Sequence, residues 1–311
     1  MEFKHIPIML KDCMDGLNIR ADGIYFDGTL GGAGHSSEIL KKLSKNGLLI
    51  GTDKDDEALK VSRERLSKIS SNFVAVKSDF KNFDNVLDDL KINKIDGVLL
   101  DLGVSSYQLD NAKRGFSYIA DAPLDMRMDR SNPLTAEYVV NNYSAEDLTK
   151  IFYEYGEEPF TKKIVQKIVE YRSQKCITTT KMLADIIKDC IPKKIQKEKG
   201  NPCKRVFQAI RIEVNGELKG LADVLQKMIN RLNVGGRIAI LTFHSLEDRI
   251  VKDVFKQNTI DCICPKNIPV CVCGHHATLK LVNKKPITAS EEELKNNSRS
   301  ASAKLRIAER I

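Results

Sequence analysis

Ile24-Tyr25-Phe26-Asp27-Gly28-Thr29-Leu30-Gly31-Gly32-Ala33-Gly34-His35-Ser36 runs from an apolar strand through a glycine-rich turn into a helix. The next strand, Leu48-Leu49-Ile50-Gly51-Thr52, ends on Asp53. A loop with so little side-chain bulk can lie directly against a ligand. A carboxylate on the neighbouring strand end can grip a ribose diol. Together the two segments imply a nucleoside-bearing cofactor. The plainer alternative is a tight strand-to-helix bend followed by an N-capping Asp for the helix near Asp55.

Outward from this pair, strand and helix alternate through the first hundred residues. Strands are expected at Gly23–Leu30, Gly47–Asp53, Phe73–Asp79 and Ile95–Leu102, short, apolar and rich in Ile, Val, Leu and Phe, as for strands covered on both faces. Amphipathic stretches at Ser36–Ser44, Asp55–Ile69 and Phe83–Leu90 lie between them. Regular alternation predicts a parallel sheet with right-handed crossovers, and such sheets bind ligands beyond the carboxyl ends of their strands. The residues to examine are therefore Asp27–His35, Asp53, Asp79-Phe80 and Asp101–Ser106.

After Ser106 the pattern changes. Asp110 to Pro133 is irregular and polar. Helical spacing follows at Thr135–Asn141, Ser144–Tyr155, Glu158–Ser173, Thr179–Ile191 and Cys203–Gly216. The α/β rhythm returns with a helix at Glu217–Leu232, a strand at Arg237–Phe243 and a helix at Ser245–Lys256. Last strands are expected near Thr278–Val282 and Lys304–Ala308. The expected fold class is α/β with an inserted all-helical domain: a discontinuous domain of residues 1–105 and 215–311, and an insertion of 106–214.

The chain of 311 residues is 42% hydrophobic and 30% charged, normal for a globular protein. No run approaches the roughly 18 apolar residues of a membrane span, and no signal peptide is read at the start, so a cytoplasmic protein without a membrane partner is expected. The net charge is +8. Seven cations, Lys188, Lys193, Lys194, Lys197, Lys199, Lys204 and Arg205, stand close together against Asp189 and Glu198. Such a cluster is either a solvated face or a surface for a polyanion such as RNA.

The strand ends also bear on which cofactor is bound. Asp27 could meet an ammonium group or anchor the loop through backbone amides. An amino-acid cofactor, S-adenosyl-L-methionine, offers such an ammonium. Asp79-Phe80 supplies an acceptor and an aromatic face for an adenine, although Phe80 could equally be core. Asp101 follows the apolar run Val98-Leu99-Leu100, a carboxylate at the rim of a buried strand. A nicotinamide dinucleotide could use the same turn and Asp53. A non-catalytic RNA-binding module would leave the strand ends without purpose.

The segments Asp27–Ser36, Asp96–Gln108, Arg114-Gly115-Phe116-Ser117, Pro123-Leu124-Asp125-Met126-Arg127-Met128-Asp129, Arg205-Val206-Phe207-Gln208-Ala209-Ile210-Arg211 and Thr242-Phe243-His244-Ser245-Leu246-Glu247-Asp248-Arg249 resemble the bacterial 16S ribosomal RNA (cytosine-N4)-methyltransferase family, once called MraW. The resemblance runs from His5 to Arg310. It implies a class I (Rossmann-like) S-adenosylmethionine-dependent methyltransferase sheet carrying a helical substrate-recognition insertion. It further implies methylation of the N4 exocyclic amine of a specific cytidine in the decoding region of 16S rRNA, with the small ribosomal subunit as partner. The cofactor contacts it implies are Ala33, Gly34, His35, Asp53, Phe80, Asp101 and Gln108.

Two groups are candidates for catalysis. Asp101 opens the segment to Ser106 that matches, by position, the short polar motif of other amino-group methyltransferases. Leu102-Gly103-Val104 replaces their usual proline pair, so a backbone carbonyl near Gly103 or Val104 competes as proton acceptor. His244, after the fifth expected strand, could take the proton or stack on the base. Its plainer reading is a histidine tying Asp248 or a backbone carbonyl in place. Asp125, Arg127 and Asp129 could line a base pocket or lock their loop, and Arg114, Arg205 and Arg211 are expected phosphate contacts. A homodimer is compatible with the sequence. The reaction needs no metal, and none is assigned to its site. Near the C-terminus, Cys262, Cys264, Cys271, Cys273, His275 and His276 have ligand-type side chains. The Cys-x-Cys spacing departs from the commoner two-residue gap, so zinc and plain surface thiols both remain open.

Overall fold

A computed structural model of the protein describes residues 7–199, 201–262, 264–265, 270 and 272–311. The chain divides into two compact units, Met1–Gly103 with Gly220–Ile311, and Val104–Lys219. The breaks fall two and five residues from the positions read from sequence. The second is marked by Gly220, whose left-handed backbone (φ +72°) precedes the next helix.

In chain order the first unit begins α1 (Leu10–Leu17), β1 (Ile24–Asp27), α2 (Gly34–Lys42), β2 (Leu48–Asp53), α3 (Asp56–Leu66), β3 (Phe73–Lys77), α4 (Phe83–Asp89) and β4 (Ile95–Asp101). The second unit holds α5 (Ser106–Asp110), α6 (Ala136–Asn142), α7 (Ala145–Glu154), α8 (Thr161–Arg172), α9 (Thr180–Cys190), α10 (Lys193–Lys199) and α11 (Cys203–Asn215). The first unit resumes with α12 (Leu221–Arg231), β5 (Leu232–Thr242), α13 (Ser245–Asn258), β6 (Leu279–Leu281), β7 (Ile287–Thr288), α14 (Glu291–Asn296) and β8 (Lys304–Arg310).

The sheet order is β3-β2-β1-β4-β5-β8-β6, with β7 also paired to β8. The first five strands are parallel, and β8 runs antiparallel to β5 and β6. Alternate residues of each strand face opposite ways. Phe26, Ile50, Val98, Leu100, Ile238 and Ile240 pack with α4, α12 and α13 on one face. Tyr25, Leu49, Leu99, Ala239 and Leu241 pack with α1, α2 and α3 on the other. Burial on both faces explains why these strands read as continuous apolar runs rather than as alternation. The strand order reverses between β1 and β4: β1 leads on to β2 on one side, and β4 is followed by β5 on the other. Connections that part in this way mark the carboxyl edge between the two strands as the place where such sheets bind ligands.

The second unit is helical, as its 3.6-residue periodicity predicts. Thr135, Ser144 and Thr179 cap α6, α7 and α9 by accepting from backbone N–H groups in the first turn. Val139, Leu148, Phe152, Ile164, Ile168, Leu183, Ile187, Val206 and Ile210 fill its core. Burying side chains of this size stabilises by roughly 1.5–3 kcal/mol each.

Candidate active site at the carboxyl ends of the parallel strands

β1 ends on Asp27, whose carboxylate turns back into the loop that follows. It accepts hydrogen bonds from the Thr29 N–H at 3.0 Å and the Ser36 hydroxyl at 2.6 Å. Burial pushes this carboxyl above its ordinary range, and the Ser36 and Thr29 bonds oppose the shift. These bonds are those of a loop anchor.

The loop needs its glycines for space. A Cβ on Gly28 would strike the Leu100 side chain and approach the Phe80 Cβ to 2.8 Å, and one on Gly34 would strike the Pro7 ring. Ala33 takes a left-handed conformation (φ 55°) at the N-cap of α2 and offers no side-chain cap. The helix thus starts without a side chain on its first N–H groups, an arrangement suited to an anionic group.

Asp53 closes the loop from the neighbouring strand. Its Oδ2 accepts from the Gly31 N–H at 2.8 Å and its Oδ1 from the Asp55 N–H at 2.9 Å. The cap of α3 is Asp55, which accepts from the Glu57 N–H at 3.1 Å. Burial raises Asp53 to about 6 against those bonds. Beyond β3, Asp79 accepts from the Lys81 N–H at 2.9 Å and faces Lys54 Nζ at 3.3 Å. Phe80 is partly buried and packs against the sheet core, so part of the ring serves the fold.

At the end of β4 the Asp101 N–H donates to Thr29 Oγ1 at 2.7 Å. The Asp101 carboxylate is raised to about 6 by burial. The neighbouring His35 opposes that shift, and Asp27 and Glu247 add to it. His35 is buried, with Nδ1 3.7 Å from Asp101 Oδ2 and Nε2 3.0 Å from the Ile8 carbonyl. Ala33, Gly34, His35, Asp53, Phe80 and Asp101 therefore share one edge of the parallel strands. Gln108 belongs to the second unit, where it forms a capping box with Ser105 at the start of α5. Two contributors were missed from sequence. Thr29 bridges Asp27 and Asp101, and Arg65 donates from α3 to the Gly32 carbonyl at 2.5 Å. Thr29 stands inside the quoted motif, whereas nothing in the spacing marks Arg65.

His244 sits at the N-cap of α13. Its Nδ1 accepts from the Glu247 N–H at 3.5 Å; Nε2 lies 3.0 Å from Glu247 Oε1 but, among the described residues, is buried without a hydrogen-bond partner. Glu247 in turn accepts from the Phe243 N–H at 2.9 Å. The ring is thus tied to its own helix through Glu247, rather than to Asp248 or a backbone carbonyl. Asp248 pairs with Arg306 and Lys304.

In the second unit, three of the charged residues read from sequence are turned inward. Arg114 is buried and donates to the Arg127 and Met128 carbonyls at 2.9 and 3.0 Å. Arg211 forms a two-pronged pair with Glu217, both bonds 2.9 Å. These two brace their own unit, which corrects the expectation of phosphate contacts. Arg127 is gripped by Asp125 and by the Arg130 and Asn132 carbonyls, so this run locks its loop. Lys193, Lys194, Lys204 and Arg205 are exposed; the side chains of Lys197, Glu198 and Lys199 lie outside the described residues, as does Cys271. Among the described residues, no helix is long and apolar enough to cross a membrane.

Residues 2–311 match the model of the MraW methylase family. A protein of Clostridium botulinum (strain 657 / Type Ba4) called ribosomal RNA small subunit methyltransferase H is 55% identical over 311 residues, covering all of both chains. Proteins of that name from Finegoldia magna and Caldicellulosiruptor saccharolyticus are 52% and 54% identical, covering 100% and 99% of this chain and all of each relative. A family match across nearly every residue, with relatives above half identity end to end, settles the kinship: the chain belongs to the MraW methylase family.

Proposed function

We propose that this protein is an S-adenosylmethionine-dependent methyltransferase of small-subunit rRNA, acting on the exocyclic N4 of a cytidine in the decoding region. The observation that carries the reading is the convergence of the glycine loop, Asp53, Phe80 and Asp101 on one edge of the sheet, within a chain of the methylase family. The relatives' names support the rRNA substrate. The cytidine N4 target rests on the sequence resemblance. Such a substrate makes the cytoplasm the site of action.

The residues fit the cofactor. α2 begins without a side-chain cap on its first N–H groups, which suits a carboxylate. Each Asp53 oxygen accepts one backbone N–H and keeps a second lone pair for a ribose hydroxyl. Asp79 and Phe80 suit an adenine. Ala33 and His35 contribute backbone at the start of α2, and Gln108 is assigned on the resemblance alone. When bound, the cofactor supplies a methyl group on a cationic sulfonium.

Cytosine N4 is a poor nucleophile because its lone pair is delocalised into the ring. It must be held in line and relieved of a proton. Asp101 is assigned as that acceptor. Burial has raised its carboxylate toward neutrality, which strengthens it as a base. His244 serves as a positioning residue. It holds Glu247, whose negative charge adds to the upward shift of Asp101.

The test is transfer of labelled methyl from S-adenosylmethionine to small subunits from cells lacking this protein, followed by mass mapping of modified nucleotides. Label in N4-methylcytidine of the decoding region is expected. Label elsewhere would remove the specific target, and no label would remove the activity. Thermal shift separates the nicotinamide alternative: S-adenosylhomocysteine should stabilise the fold and NADH should not.

A further inference from the structure

Between α13 and β6 the chain makes an excursion rich in Cys, Val and Ile whose described valines face solvent. Val270 and Val272 are 69% and 77% exposed. Its ends are fastened by hydrogen bonds: the Thr278 N–H donates to the Asn258 carbonyl at 2.8 Å, and His275 Nε2 lies 3.0 Å from the Gln257 carbonyl. Inside it, the sulfurs of Cys262, Cys264 and Cys273 all lie within 4.8 Å of one another, and Cys262 and Cys273 are 3.9 Å apart. No described cysteine is in a disulfide.

Two backbone groups point at these sulfurs. The Cys264 N–H donates to Cys262 Sγ at 3.4 Å, and the Val272 N–H donates to Cys264 Sγ at 3.5 Å. Hydrogen bonds of this kind favour thiolate over thiol. The spacing fits a metal as well. Four sulfurs placed about 2.3 Å from a tetrahedral zinc stand about 3.8 Å from each other. Three thiols have converged here while Val270 and Val272 beside them stay exposed, so apolar burial does not account for the gathering.

We infer that Cys262, Cys264 and Cys273 are ligands of a structural Zn²⁺ that fastens the 259–278 loop. Binding forms three zinc–sulfur bonds and releases the thiol protons to solvent, with no change of oxidation state. The remaining donor is not assigned. Cys271 is the other thiol of this stretch, and it lies outside the described residues. The metal has no part in methyl transfer. The inference therefore stands or falls separately from the proposed function.

The experiment is metal analysis of the untagged full chain, purified under reducing conditions. About one zinc per chain is expected, with a tenfold or greater loss in Cys262→Ser, Cys264→Ser and Cys273→Ser. Substitution with Co²⁺ should give thiolate-to-metal charge-transfer absorption in the wild type and none in the variants. A strong chelator should lower the Tm of the wild type and leave that of Cys264→Ser unchanged. Chelation is read on the wild type, so it remains informative if a variant fails to fold. Wild-type protein that neither carries zinc nor takes it up would overturn the inference. So would variants with undiminished zinc, or a Cys262–Cys273 disulfide in the native protein.

Discussion

His35 offers two ring nitrogens to two acceptors. The Ile8 carbonyl can only accept, so Nε2 carries a proton, and Nδ1 then faces the Asp101 carboxylate at 3.7 Å. Asp101 is raised to about 6, chiefly by burial. The sign of the pH dependence follows. A carboxyl raised in the fold binds more protons folded than unfolded between its ordinary value and about 6. Stability contributed by Asp101 and Asp53 is therefore present at low pH and lost as pH rises through about 6. Transfer runs the other way, because the acceptor must be ionised. The rate should fall below about pH 6. In His35→Gln, which removes the His35 interaction that lowers Asp101, the acid limb of the pH–rate profile should move upward. An unmoved limb would take His35 out of this role. Asp101→Ala should lose at least about a hundredfold in single-turnover rate, within the usual range for an acid–base group. Near-normal turnover would remove Asp101 from the mechanism.

Elements differ in how plainly the chain announces them. β1, β2 and β4 are readable because burial on both faces demands unbroken apolar runs; β3, at the sheet edge and only partly buried, is readable from its apolar residues alone, and the observed ends of all four lie within three residues of the expected ones. β5 begins at Leu232 rather than Arg237. Leu232 pairs with Ile95, and the Val234-Gly235-Gly236 stretch that reads as a turn is an irregularity within the strand pairing. α1 escaped notice because it is short, carries Gly16 and has no side-chain cap at Met9. Local geometry makes a further forecast. α4 ends with the Lys91 N–H donating to the Asp88 carbonyl and the Ile92 N–H to the Leu87 carbonyl, with Lys91 left-handed (φ 57°). That motif favours glycine. Lys91→Gly should raise stability by about 0.5–1 kcal/mol in urea unfolding, and a loss would contradict this account of the turn. His244→Ala should destabilise by about 1 kcal/mol through its cap. It should also shift the acid limb if Glu247 acts on Asp101 as proposed.

At the scale of the whole molecule, alternating segments disclosed the α/β class and the helical insertion, because each period records which face is buried. The fate of single charges was not legible. Nothing in the sequence separates Arg114, buried beneath two carbonyls, from Lys193 or Lys204, which face solvent. The difference lies in tertiary partners far along the chain. For the proposed RNA substrate the exposed cations matter most. Reversing Lys193, Lys194 and Lys204 to Glu should weaken rRNA binding several-fold and flatten its salt dependence. Affinity for S-adenosylhomocysteine should stay unchanged. If rRNA binding stayed intact, that surface would have no part in substrate capture.

The central claim is that the carboxyl ends of β1, β2 and β4, with the residues that follow β3, form the seat of the methyl donor. A crystal of the protein soaked with S-adenosylhomocysteine tests it most directly. The account predicts density against the Gly31–Gly34 loop, with the ribose on Asp53, the adenine beside Phe80 and the sulfur end toward Asp101. Density lodged elsewhere, or a bare edge in crystals of a protein that binds the compound in solution, would contradict it.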